Sequence, residues 1–467
     1  MRPKISNQDF NFKNHPMRNT IKKFTGIASL CAFALFATAQ NKPAYEMNIS
    51  GVKVIVQPSG NEIVEVLTVF KGGVQNYPAD KAGIESLAIN ALTECGTKKD
   101  SKNSFKDKLD AVSAEMGGSA GMDYSTFRLN CIQSDLDVVW PLYVDALTIP
   151  LFDTTEFNRI RTDAISSLKQ QSSQPDFAIS KFAKETAFRG KDYSKSPTGE
   201  ETTVSKLTAA ETRAYYTSLL TRSRILIVVV GELEKSVIEK KVKELVDLIP
   251  EGKEVKLNRY SYVPAKNTFS DQNKALATNY IQGITSGPQP GTADFNAFTI
   301  AMRIFYDRQF LEVRTNNGLS YAPQTRFNGG LSPYTTIQVT TTNPDKYISV
   351  MDNLLEKTHR DGFSTEEVKN TKTGYVTGFY YKMETNSAQA AALAQNEVLF
   401  NDWKRSLRLN EDMKKVSVDE VNKSFNKYVK DLTWVYQGDT SKVNPVLYTT
   451  APGSKLPESK LNKDNKN

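Results

Sequence analysis

Two patterns in this chain recur about 210 residues later, and that repeat constrains the fold more than any single motif. TTEFNRIRTDAISSLKQQ, from Thr154, and STEEVKNTKTGYVTGFYY, from Ser364, each open on a Thr-Glu helix start and run on as a long polar-apolar helix. Thr155-Glu156 maps onto Thr365-Glu366 at an offset of 210. Downstream, KLTAAETRAYYTSLLTRSRILIVVVGE parallels KVSVDEVNKSFNKYVKDLTWVYQGD, and Thr208 to Glu211 maps onto Ser417 to Glu420 at an offset of 209. Each of these runs from a capped helix into a strand that closes on Gly. Two matching offsets in 467 residues predict a duplication, with domains at 44–250 and 270–447. Between them, EGKEVKLNRYSYVPAKNTFSDQ is polar and aperiodic, and residues 251–269 read as a linker.

Strands and helices mix within each half. VKVIVQPSGNEIVEVLTVFKGG reads as a hairpin around Ser59-Gly60-Asn61. Helices are predicted over 81–94, 103–116, 134–147, 154–172 and 176–188, with STFRLNCIQ as a strand among them and RILIVVVGE closing the domain. In KAGIESLAINALTECGTKK, Ile84, Leu87, Ala88, Ala91 and Leu92 fall at the three-and-four spacing of a buried helix face. The expected class is α+β: two duplicated domains, each a mainly antiparallel sheet with helices packed on one face.

The N-terminus reads differently from the body. MRNTIKKFTGIASLCAFALFATAQ, from Met17, has a basic start, an apolar run and Ala37-Thr38-Ala39 before Gln40, the pattern of a secretory signal peptide. Residues 1–39 are therefore expected to be leader and signal, with Met1 and Met17 both open as the start. Cys31 is a poor lipid-attachment match, because the apolar run continues past it. The first 39 residues carry six Lys/Arg against one Asp, so five of the formal +8 lie there and +3 remains. Part of that remainder sits in the basic tail 448–467, which reads as solvated and disordered. The composition therefore offers no nucleic-acid surface, and the body has no apolar stretch long enough to span a membrane.

After cleavage Cys95 and Cys131 remain. An oxidising compartment would permit a disulfide, but Cys131 shares a strand face with Phe127 and Leu129, which favours a buried free thiol. Of two histidines, only His359 lies in the mature chain, in LLEKTHRDG at a helix end, where it reads as a surface or capping residue. Neither a Ser-His-Asp triad nor a two-histidine metal site can be assembled from it.

An ordered set of segments resembles the pitrilysin-like (M16) zinc metallopeptidases and their non-catalytic homologues. FKGGVQNYPADKAGIESLAINALTECGTKK is similar to the family's first strand and metal helix, and KLDAVSAEMGGSAGMDYSTFRLNC to its next helix, Gly-Gly turn and strand. LFDTTEFNRIRTDAISSLKQQSSQPD resembles its long helix before a Pro, and FRGKDYSKSPTGEETTVSKLTAAETRAYY its Tyr-x-x-x-Pro-x-Gly loop. RILIVVVGELE resembles its domain-closing strand.

The resemblance implies that the two domains form half of a clam-shell chamber, in which an extended peptide adds to a sheet edge. Active members carry His-x-x-Glu-His on the metal helix and a further Glu on the long helix. Counted from Gly83 and back from Pro175, those positions fall here on Ser86, Ile89, Asn90 and Ser167. Ser and Asn offer zinc only neutral oxygens, and Glu85 and Glu94, nine residues apart, lie on opposite sides of the helix. No cofactor is expected in this chain, and zinc is expected in a partner. In two-chain members the zinc-less chain supplies an Arg and a Tyr from its second domain, and FLEVRTNNGLSYAPQTRF carries those roles onto Arg314 and Tyr321. The implied function is a non-catalytic subunit of an exported, periplasmic, heteromeric zinc peptidase, working beside a homologue with an intact His-x-x-Glu-His. The alternative is a catalytically dead peptide-binding or scaffold protein of the same fold.

Overall fold

The computed structural model describes residues 43–450. The expected leader and signal lie outside the described residues, as does the tail from residue 451 onward. Two sheets organise the chain. The first contains β1 (Tyr45–Ile49), β2 (Val52–Gln57), β3 (Ile63–Lys71), β4 (Glu115–Ala120), β5 (Tyr124–Ile132) and β6 (Ile225–Val230), in the order β1-β2-β6-β3-β5-β4. The second contains β7 (Thr268–Asn273), β8 (Asn279–Thr285), β9 (Gln324–Asn328), β10 (Tyr334–Thr341) and β11 (Thr433–Gly438), in the order β7-β11-β8-β10-β9.

The two orders superpose strand for strand once β1 is set aside. In each, the last strand of the half pairs in parallel with the first (β6 on β2, β11 on β7), and every other pairing is antiparallel. The fold is α+β and duplicated. The paired helix starts are realised as caps: Glu211 N donates to Thr208 Oγ1 at 3.2 Å and Glu420 N to Ser417 Oγ at 3.2 Å. The long helices Thr154–Ser172 and Thr365–Lys382 begin one residue apart on the 210 offset.

Three local readings are corrected. Residues 52–57 and 63–71 are not hairpin partners, because β6 lies between them. Its ILIVVV run is buried throughout, and a wholly apolar strand is driven to the middle of a sheet. The hairpin at this end is instead β1–β2, whose turn residues Ser50 and Gly51 have φ of 49° and 89°. The helix predicted over 103–116 ends at Asp110, and Glu115–Ala120, with its two glycines, is a strand. The domain limits also move. Thr268 and Phe269, placed in the linker, open β7, and Tyr448, placed in the tail, is fully buried. Tyr448 stacks on Phe269 at 4.9 Å and donates to Pro344 O at 2.8 Å, so the last helix Pro445–Thr449 closes the second core.

Each sheet carries its own half's helices on one face, and the opposite face is crossed by a helix from the other half. Pro175–Ala187 of the first half lies against β8 and β11, with Ile179 and Ala183 buried in one core with Ile284 and Val435. Asn386–Phe400 of the second half lies against β3 and β6, burying Ala390, Leu393 and Ala394 over Leu67, Val69, Val228 and Val230. Polar contacts pin this second exchange. Lys53 Nζ bonds Glu397 Oε1 at 2.6 Å, and Asn386 Nδ2 bonds Ile63 O at 2.6 Å. The exchanged helices start 211 residues apart, so the swap obeys the duplication.

Asp352, on the helix Pro344–Asp361, shows a cost of this packing. Burial pushes its carboxyl up to about 7. A raised folded-state value means that stability is greatest below the unfolded carboxylate range and is lost as pH rises through about 7. Asp352→Asn is expected to raise thermal stability at pH 8, by up to roughly 3 kcal/mol, and to leave it unchanged at pH 4. Paired melting curves at the two pH values check this.

Candidate functional site

The helix Ile84–Glu94 starts at Gly83, whose φ of 95° and close approach to Thr198 O (2.9 Å from an added Cβ) leave room only for glycine. Ile84, Leu87, Ala88, Ala91 and Leu92 are all buried, as their spacing predicts. On the remaining surface Ser86 is half-buried, Asn90 exposed and Ile89 fully buried, while Ser167 is exposed on the long helix. Gly118 of β4 sits directly over Ile89; a Cβ there would come within 2.4 Å of Ile89 Cγ2 and 2.2 Å of Thr126 O. Ile89, which the resemblance sets at the catalytic carboxylate's position, is thus an alkyl group clamped beneath a bare strand. Two hydroxyls, one amide and one alkyl chain do not make a zinc site. Among the described residues no three His, Cys, Asp or Glu side chains gather as a metal set.

The two carboxylates of this helix have separate structural roles. Glu94 is paired with Arg159, and Lys106 Nζ donates to its Oε1 at 2.5 Å. Arg159 also bonds Glu156 at 2.8 Å and Asp163 at 3.0 Å. Burial pushes Glu94 up, but Lys106 and Arg159 outweigh it and hold the carboxyl below its usual range. Glu85, on the opposite side, is fully buried. It accepts from Ser125 Oγ, Tyr215 OH and, at 3.0 Å, Asn76 Nδ2, and burial raises its pKa against those bonds. Sequence reading assigned Glu85 no role. Its signal was an acid on the apolar side of a helix, a position that demands partners.

Beside Glu94 opens a cavity of about 1020 Å³, bordered by Lys106, Met116, Gly117, Gly118 and Arg128. β4 forms its wall. That strand pairs with β5 on one side (Gly117 opposite Arg128, Gly118 opposite Phe127) and, among the described residues, with no strand on the other. A free strand edge in a cavity can take an extended chain through main-chain hydrogen bonds.

The second half brings Arg314 and Tyr321 together. The helix Asp294–Gln309 runs on into a wider π-helical turn, Phe310–Asn316. Such turns re-aim side chains. Gly318, at φ 60°, reverses the chain, and the Arg314 guanidinium then lies 4.1 Å from the Tyr321 ring centre and 4.9 Å from that of Phe310. Tyr321 is 80% exposed, so the pair stands at the surface just before β9. His359 Nδ1 lies 2.7 Å from Asn426 Oδ1, and its ring rests on Phe425 at 4.9 Å. Cys95 and Cys131 are free and buried, and burial pushes both thiols up to about 12.

Comparison with known proteins agrees with this geometry. Residues 206–375 match the family model described as the peptidase M16 inactive domain. An uncharacterized zinc protease, YmxG, of Bacillus subtilis is 18% identical over 380 residues, which cover 80% of this chain and 92% of that one. The solved M16 inactive domain from Pseudomonas fluorescens superposes with a TM-score of 0.78 at 15% identity, over 86% of this chain and all of that one. The periplasmic protease PqqL of Escherichia coli gives 0.73 at 14% identity, over 85% of this chain and 45% of that one. Residues 206–375 are thus similar to the peptidase M16 inactive domain, and over most of its length the chain shares the fold of the solved M16 inactive domain.

Proposed function

We propose that this chain is the non-catalytic subunit of an exported, periplasmic, heteromeric zinc peptidase. It supplies part of the chamber wall, and it presents Arg314 and Tyr321 to the active site of a homologous partner that carries zinc on an intact His-x-x-Glu-His. The observation that carries this reading is the Arg314–Tyr321 pair, held ring to guanidinium at 4.1 Å with Tyr321 turned to solvent. A stacked Arg and Tyr at the surface suit a substrate carbonyl and a developing oxyanion. The weak neutral oxygens of Ser86, Asn90 and Ser167 and the alkyl chain of Ile89 support a reading in which the metal belongs to the other chain. An extended peptide would lie along the free edge of β4.

That same edge, where no three His, Cys, Asp or Glu side chains gather as a metal set among the described residues, also suits a peptide binder or scaffold without turnover. A pull-down of the tagged chain from extract of its own cells separates the two. Co-purification of a homologue with His-x-x-Glu-His, and peptidase activity that only the pair shows, is the expected result. Recovery of the chain without such a homologue would move the assignment to the binder.

A further inference from the structure

Among the described residues, a second cavity of about 780 Å³ lies between the two halves, and its charges are unbalanced. Arg326, Lys382 and Arg405 line it, and none of the three has a carboxylate within ion-pair distance among the described residues. Arg405 is the most constrained. Its guanidinium stacks 4.1 Å from the Phe400 ring centre and 5.4 Å from that of Phe295. Its nitrogens bond only neutral amide oxygens here, Asn396 Oδ1 at 3.0 Å and Asn296 Oδ1 at 2.5 Å. The nearby acids Asp402 and Asp412 are already paired with Arg408. The one acid lining the cavity, Asp123, is occupied: it accepts from Tyr193 OH and, at 3.2 Å, from Leu331 N. A half-buried guanidinium held between two rings, with no carboxylate in ion-pair contact among the described residues, leaves room for an anion to bind it.

The position of the cavity indicates which anion. Met122, Asp123, Tyr124 and Ala391 line both this cavity and the one along β4, so the two form one continuous cleft. The glycines Gly329 and Gly330 keep it open: a Cβ at either would strike Phe295 or Asp123 at 2.5 Å or less. The walls beside the cations are aromatic, with Phe327 and Phe400 among them. Resting on the peptide-binding reading above, we infer that this cavity receives the free C-terminal carboxylate and apolar last side chain of a peptide lying along β4. Arg405, with Arg326 and Lys382, would recognise the carboxylate, and the rings would hold the side chain. The substrate class is then peptides with a free C-terminus close to the bound segment, not internal stretches of folded proteins.

Fluorescence anisotropy on the full chain tests this, with one N-terminally fluorescein-labelled ten-residue peptide ending in Phe, prepared as free acid and as C-terminal amide. The free acid should bind at least tenfold more tightly. The difference should shrink to within about twofold in Arg405→Gln, and partly in Arg326→Gln, whose exposed side chain carries no packing. Equal binding of acid and amide by the wild-type chain would overturn the carboxylate site while leaving peptide binding intact. A full acid preference in both Arg405→Gln and Arg326→Gln would overturn the assignment to these residues. Binding of neither peptide would overturn the peptide-binding reading together with this one.

Discussion

Ile89→Glu, which places a carboxylate where the resemblance sets the catalytic one, is expected to destabilise the chain by about 3–5 kcal/mol and to give no activity. Ile89 is fully buried, and Gly118 of β4 covers it so closely that no water can reach an introduced carboxyl. The substitution removes apolar packing and places an acid where nothing can donate to it. The introduced carboxyl would stay protonated well above its usual range, so the loss should be smaller at pH 5 than at pH 8. Ser86→His, on the half-buried side of the same helix, should cost no more than about 1 kcal/mol. Urea unfolding of both variants at the two pH values checks this. A small loss for Ile89→Glu at pH 8 would mean that the helix and β4 separate readily, and that the site is wet.

The same pair of residues shows which parts of this protein were legible in its sequence. The helix face Ile84, Leu87, Ala88, Ala91 and Leu92 was readable because a helix buries one stripe whatever its neighbours. The duplication was readable because caps and periodicity survive divergence: the Ser417–Glu420 box and the Thr208 cap formed as their residue types require. Strand order was not. The run at β6 announces a buried strand, but nothing local says that it will separate β2 from β3, since that choice is made across more than 150 residues of chain. Glu115–Ala120 was misread because Gly-Gly signals a turn. Here the missing side chains instead let an edge strand settle on Ile89.

The helix exchange was the least legible feature. Asn386–Phe400 is apolar enough to be buried, yet its partner sheet lies in the other half of the sequence. The exchange also bears on function. With each half covering the back of the other's sheet, the chain cannot open between its halves without exposing two cores at once. In the proposed pair, access to the chamber would then come from movement between chains, not within this one.

Arg314→Ala is expected to lower the activity of the assembled pair at least a hundredfold without preventing assembly. The side chain is half-buried and stacks on Phe310 and Tyr321 outside the buried core, so folding should be little affected. Removing one donor aimed at developing charge typically costs two to three orders of magnitude in rate, about 2.7–4 kcal/mol. Tyr321→Phe divides the role further. It keeps the ring on which the guanidinium rests and removes only the hydroxyl. If Tyr321 serves solely to hold Arg314, the variant should retain nearly full activity; if its hydroxyl donates to the oxyanion, the rate constant kcat should fall by a similar factor with KM little changed. Size-exclusion chromatography of the mixed chains, followed by steady-state kinetics on a fluorogenic peptide, reads assembly and turnover separately. Full activity in Arg314→Ala would remove the trans-acting role and leave the chain as chamber wall alone.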